Sequence, residues 1–146
     1  MKKLQLLAIA ICTTAAVYAQ DLRIEEVPNN LKEKFNKEYA QATDVEWEMD
    51  GENYKVEFDL GRMDNEVWYS KSGKVIRMEK ELSEKELPLA IASSIKSKYA
   101  GYKIDDIKMT KAVSELTYKV ELKKGLFEER KVVFDESGNV ISDMLD

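Results

Sequence analysis

The sequence predicts an α+β protein built from two tandem α-β-β-β-β units, each a helix packed on a four-stranded antiparallel sheet. Three observations predict it. "NYKVEF" at 53–58 returns as "TYKVEL" at 117–122. Apolar residues recur four apart before each copy, then alternate with polar ones within it, a change of period from helix to strand. The spacing between matched residues drifts only in turns: Val27, Leu31, Phe35 and Tyr39 match Leu87, Ile91, Ile95 and Tyr99 at an offset of 60. Val45 and Trp47 match Ile107 and Met109 at 62, Tyr54, Val56 and Phe58 match Tyr118, Val120 and Leu122 at 64, and Val67, Tyr69, Gly73 and Val75 match Val132, Phe134, Gly138 and Val140 at 65. Duplication followed by loop drift leaves this trace, because turns tolerate insertion and packed elements do not.

The first residues, "MKKLQLLAIAICTTAAVYAQ", read as a signal peptide: two lysines, an apolar run from Leu4 to Ile11, and a small-x-small site at Val17-Tyr18-Ala19. Cleavage after Ala19 divides the chain into a leader (1–19), a first unit (20–82) and a second unit (83–146). The apolar run is short of the ~20 residues a spanning helix needs. Ile11 stands before Cys12 where lipidation calls for a small residue, and the only cysteine leaves with the leader. The protein is thus expected to be periplasmic or secreted, without disulfides.

Each helix is expected to open at a proline, Pro28 or Pro88, at the first helical position, where the missing N–H breaks no bond. Ser83 with Glu86 forms a capping-box pattern that competes with this start for the second helix; the repeat favours the later start. Strands follow at Val45/Trp47/Met49, Tyr54 to Leu60, Val67/Tyr69 and Ile76/Met78, with turns at Asp50-Gly51, Gly61 to Asp64 and Lys71 to Gly73. In the second unit they fall at Ile107/Met109, Tyr118 to Leu122, Val132/Phe134 and Val140 to Met144. Alternation places these residues beneath the helices and leaves Glu46, Glu48, Lys55, Glu57 and Asp59, with Lys108, Lys119, Glu121 and Lys123, on the opposite, solvated face.

A helix opened by an apolar residue and proline, Trp47 on the first strand, Tyr54-x-Val56-x-Phe58 on the second, Tyr69 or Phe134 on the third, and the turns Ser70 to Val75 and Asp135 to Val140 together resemble the PepSY-like proteins. These are secreted bacterial proteins with a fold similar to the beta-lactamase inhibitory protein, and the resemblance runs from about residue 25 to 145. It implies a Gram-negative exported protein whose two sheets stay separate or join into one curved eight-stranded surface. It also implies a sheet face able to grip another protein, as the inhibitor's concave face grips an enzyme.

Chemistry points away from catalysis. The chain has no histidine, and the thiol departs with the leader, which removes the usual general base, nucleophile and zinc ligands. Acidic pairs such as Glu25/Glu26, Asp105/Asp106 and Glu128/Glu129 read as solubilising charge. Ser70-Lys71 and Ser97-Lys98 lie on a turn and an exposed helix side. "DESGN" at 135–139 lacks the ligand pattern of a calcium loop and reads as a turn. No cofactor or metal is expected. With a net charge of −5 before Lys2 and Lys3 are lost, nucleic acid is an unfavourable partner.

The remaining signal is Trp68, out of phase between Val67 and Tyr69, with Val133 in the matching place between Val132 and Phe134. Both point to the open face or mark a bulge. Trp68 is expected to contact a neighbouring loop, the other unit or a partner. The candidate partner-binding residues are therefore Trp68, Lys55, Glu57, Lys119, Glu121 and Val133, facing an unidentified protein of the cell envelope. The alternative is a sensing module that holds a small ligand or ion in a cleft between the units.

Overall fold

The computed structural model describes residues 20–145; the leader, its cleavage site and Cys12 lie outside them. The elements run β1 (Gln20–Leu22), α1 (Asn29–Glu38), β2 (Thr43–Asp50), β3 (Asn53–Leu60), β4 (Met63–Tyr69), β5 (Val75–Glu81), a single 3₁₀ turn (Glu84–Glu86), α2 (Leu89–Lys98), β6 (Lys103–Ala112), β7 (Leu116–Lys124), β8 (Glu128–Asp135) and β9 (Val140–Leu145). All nine strands join one antiparallel sheet in sequence order. The junction that makes the two units' sheets continuous is β5 with β6, where Arg77 to Glu81 pair with Ala112 to Lys108. The expected eight strands become nine because β1 adds to β2, with Leu22 opposite Trp47.

Both helices bury the stripes that the four-residue spacing predicts. Leu31 and Phe35 of α1 pack with Val27, Trp47, Val56, Phe58, Val67 and Tyr69. Ile91 and Ile95 of α2 pack with Tyr99, Ile107, Tyr118, Val120, Leu122, Val132 and Phe134. Phe35 stands edge-on to Trp47 and Phe58, at 5.6 and 4.9 Å between ring centroids, so Trp47 lies under the first helix as its phase requires. These 10-residue helices are too short to be stable alone, and the buried stripe is what holds them.

The prolines sit one place earlier than expected. Pro28 and Pro88 are caps with extended ψ of 134° and 136°, and the helices begin at the next residue. The two competing starts of the second helix are both used: Ser83 and Glu86 close a capping box around the 3₁₀ turn, and α2 follows after Pro88. Glycine is required where helix and turn touch. Gly138 has φ +81°, and a Cβ there would lie 2.6 Å from the Ala90 carbonyl oxygen at the start of α2; Gly73, at φ +80°, faces side chains alone, Leu31 at 3.3 Å and Asn30 at 3.6 Å.

Three residues assigned to the core need correction. Val45 is 40% exposed, because a bulge lies between Thr43 and Glu46 in the pairing with β3 and Asp44 takes a left-handed φ of 51°. The extra residue turns Val45 out of alternation. Ile141 and Met144 are also exposed. The register is shifted between Val133 and Phe134, and Met144 ends opposite Lys131, on the face away from α2.

Candidate functional site

With α1 and α2 on one side, the other side of the sheet carries no covering element among the described residues. Register fixes what paves it. Lys55 pairs with Trp68, and Trp68 with Arg77, so a tryptophan lies between two cations on adjacent strands. Lys55 Nζ is 5.2 Å and Arg77 Cζ 4.6 Å from the indole centroid, and the indole N–H donates to Asp50 Oδ2 at 2.7 Å. Cation–π contacts of this kind are worth about 0.5–2 kcal/mol each. Trp68 thus faces the open side as its phase indicates, yet only 6% of it is exposed. It is the floor of the face, roofed by charged side chains. The register also shifts between Trp68 and Tyr69, so the facing position and the bulge, posed as alternatives, occur together; Val133 sits beside the matching shift in β8.

Below this row runs a ladder of like charges: Glu46, Glu57, Glu66 and Glu79 stand directly opposite one another on β2 to β5. Carboxylates so placed repel, and the fold answers with cations set beside them. Lys55 Nζ reaches Glu48 at 3.0 Å and Glu66 at 2.9 Å and also bonds Glu57. Arg77 bonds Glu79, and Lys108 on β6 reaches Glu66 at 3.3 Å and Glu79 at 3.6 Å, which carries the network across the β5–β6 seam. Burial disfavours the charged form of Lys55, but the hydrogen bonds it donates to Glu57, Glu66 and Glu48 outweigh it and raise its pKa. For Glu66 burial is likewise overcome, by Lys55 and then Lys108, and its carboxyl is held below the usual range. Further along the same face Asp59 opposes Asp64; desolvation, then the charges of Asp64 and Asp44, raise its pKa.

The second group of candidates stands apart from the first. Lys119 opposes Val133 and Glu121 opposes Lys131 on β7 and β8, with β5 and β6 between them and Lys55, Glu57 and Trp68. Lys119 pairs with Glu121 at 3.3 Å, and Lys123 with Asp105 at 2.6 Å. All six candidates therefore share one face in two clusters. Sequence reasoning missed Asp50, Glu66, Arg77 and Glu79. Alternation through "EVWYSKSGKVIRME" carried the signal for Glu66, and for Arg77 and Glu79 once the bulge is allowed for. Leu126 and Phe127, almost wholly exposed at the β7–β8 turn, were also missed.

The other candidate, a cleft between the units, has a counterpart. An open cleft of about 380 Å³ lies beside the seam, walled by Val75, Ile76, Met78, Ala112 and Val113 and edged by Glu38, Lys74 and Lys111. Among the described residues, no group of three or more Asp, Glu, His or Cys is placed to hold a metal ion, and no helix is long and apolar enough to cross a membrane.

The chain is thus a two-layer α+β protein with a repeated helix-and-meander phrase and a charged sheet face left uncovered among the described residues. The chain belongs to the PepSY-like family: the family described as "Putative beta-lactamase-inhibitor-like, PepSY-like" matches it twice, over residues 15–77 and 52–142. Solved structures share the fold. A DUF2874 family protein from Bacteroides uniformis is 19% identical, with a TM-score of 0.66 over 82% of this chain and 89% of that one. A BLIP-like protein from Bacteroides fragilis is 22% identical, with a TM-score of 0.63 over 81% and 85%. A protein of Bacteroides eggerthii described among "putative periplasmic proteins" is 15% identical, with a TM-score of 0.67 over 82% and 88%. At such identities the likeness is one of fold. No curated protein matches the sequence.

Proposed function

We propose that this is an exported, non-catalytic protein-binding module that uses its open sheet face, inhibitor-like in mode, against a folded protein of the cell envelope. One observation carries this reading. Nine strands form a continuous face that neither helix covers, and its charged side chains are held in place by one another before any partner arrives. Groups ordered in advance lose less entropy on binding, and fixed charges confer specificity and faster encounter. The half over β2 to β5 is strongly acidic, so the partner is expected to oppose it with a basic surface. Glu57 and Lys119, the more exposed members of the two clusters, are the contact residues; Trp68 and Lys55 support them from below, and Glu121 and Val133 complete the second cluster.

Export rests on the leader sequence, and the described periplasmic relative agrees with it. The test is affinity capture from envelope extracts with the wild type and a Glu57→Lys/Lys119→Glu variant. The variant should lose a specific protein that the wild type retains. Identical capture by both would remove the open face as the site.

The seam cleft favours a second reading, a module that holds a small ligand with apolar and charged parts. A thermal-shift screen separates the two: a ligand at 100 times its dissociation constant should add about 2.7 kcal/mol, and that gain should survive the Glu57→Lys/Lys119→Glu change.

A further inference from the structure

The sheet has two edges, and they are treated differently. At one end lies β1, only three residues long, and short edge strands give a second chain little to pair with. At the other end lies β9, six residues long, whose outer backbone groups have no strand beside them among the described residues. Edge strands in water are ordinarily guarded by charge, lysine above all, or by proline. This one has a bulge at Ile141, where its pairing with β8 shifts, but neither lysine nor proline: of "VISDML" only Asp143 is charged, and its carboxylate is already held by Arg130 Nε at 2.9 Å and by the Tyr99 hydroxyl at 2.9 Å. Ile141, Met144 and Leu145 are 55%, 57% and 64% exposed.

The internal repeat supplies the comparison. At the offset of 65, β9 is the counterpart of β5, and the outer edge of β5 is the one that receives β6. Arg77, Glu79 and Lys80 of the covered strand correspond to Ser142, Met144 and Leu145 of the open one. The exchange runs the other way only where Met78 corresponds to Asp143, whose charge is already paired. At the three positions named, the covered strand carries charge and the strand facing solvent does not. That is the reverse of what a solvent edge requires. The corresponding edge within this chain shows that an antiparallel strand fits there.

We propose that β9 is a pairing edge and that its occupant is β9 of a second copy, the two sheets joining antiparallel about a two-fold axis. Head-to-tail growth is disfavoured because the edge it would need, β1, pairs over three of the described residues, whereas β9 with itself offers the stretch from Ser142 onward, the counterpart of the part of β5 that receives β6, on each side and closes as a dimer. The neutralised Asp143 removes the like-charge repulsion that self-pairing would otherwise bring. Neither helix nor the charged face away from them is covered by this junction.

The test is the mass of the exported protein by analytical ultracentrifugation from about 1 µM to about 1 mM, with hydrogen exchange of the 140–145 amides at both extremes. The wild type should pass from monomer to dimer with concentration, and those amides should gain protection as it does. Met144→Glu/Leu145→Lys restores at β9 the charges β5 carries, and it should weaken dimerisation at least tenfold and abolish the concentration-dependent protection. Ile141→Lys should do the same, which guards against a folding defect in the double variant. A wild type that stays monomeric throughout, or a dimer that both variants leave unchanged, overturns the proposal.

Discussion

Replacing Lys55 by Met tests whether the open face is held by its own charges. The ammonium is surrounded by Glu48, Glu57 and Glu66, with 14% of its side chain exposed and 18% and 20% of Glu48 and Glu66. Exposed pairs contribute about 0–1 kcal/mol, whereas stripping one partner from a buried pair costs about 3–5 kcal/mol; this site lies between those limits. A loss of about 2 kcal/mol from the carboxylates, with about 0.5–1 kcal/mol for the cation–π contact to Trp68, gives ~2–3 kcal/mol at neutral pH.

The sign of the pH dependence follows from the shifts. The Glu66 pKa is depressed from 4.5, so its contribution is present above that value and is lost as pH falls through the folded one. The Lys55 pKa is raised from 10.5, so its contribution persists below that value and is lost only as pH rises through the folded one. In the variant Glu48 and Glu57 lose their cation and Glu66 keeps only Lys108, so the carboxylates repel, and protonation relieves them. The deficit of Lys55→Met should therefore shrink on acidification below about pH 4.5. Urea unfolding followed by tryptophan fluorescence at neutral and acid pH measures both values. A neutral-pH deficit under about 0.5 kcal/mol, or one that does not change with pH, would refute the reasoning.

Tyr69 is fully buried with no hydrogen-bond partner for its hydroxyl, while its repeat counterpart is Phe134; Tyr69→Phe should be neutral or stabilising by up to about 1–2 kcal/mol, and a clear loss of stability in urea would count against the assigned packing. Gly73→Ala and Gly138→Ala both meet the left-handed penalty of roughly 1–2 kcal/mol, but at Gly138 the new Cβ meets Ala90 backbone at 2.6 Å. Gly138→Ala should be worse by a further ~1–3 kcal/mol, and equal losses would show that the turn against α2 yields freely. Ser83→Ala should cost about 1 kcal/mol through the capping box. The Glu86 carboxyl, lowered to about 2 by the Ser83 N–H, Lys80 and the Ser83 hydroxyl, should then rise only part of the way toward 4.5 when followed by NMR, because the N–H and Lys80 remain.

What could be read in advance was whatever depends on period. The four-residue stripes located both helices, and alternation put Val56, Val67, Val120 and Val132 in the core, where each is fully buried. What could not be read depends on register between strands. Val45 left its expected side through a single left-handed residue, Asp44, for which the local pattern gave no warning. The strand β1, three residues beside the leader, was too short to show a period. Trp68 was expected to meet a neighbouring loop, the other unit or a partner, whereas the residues that cover it, Lys55, Arg77 and Asp50, come from three other strands of its own unit. Only the pairing of β3, β4 and β5 brings two cations over one ring.

The account's central claim is that the uncovered sheet face is where a partner binds. A photo-crosslinking residue placed at position 119 on that face, or at 57 beside the acidic ladder, and another at 97 on the solvent side of α2, tests it most directly in the native envelope. Adducts to a discrete protein from 119 and 57, with none from 97, are predicted. Adducts from 97 and none from the sheet face would contradict the claim.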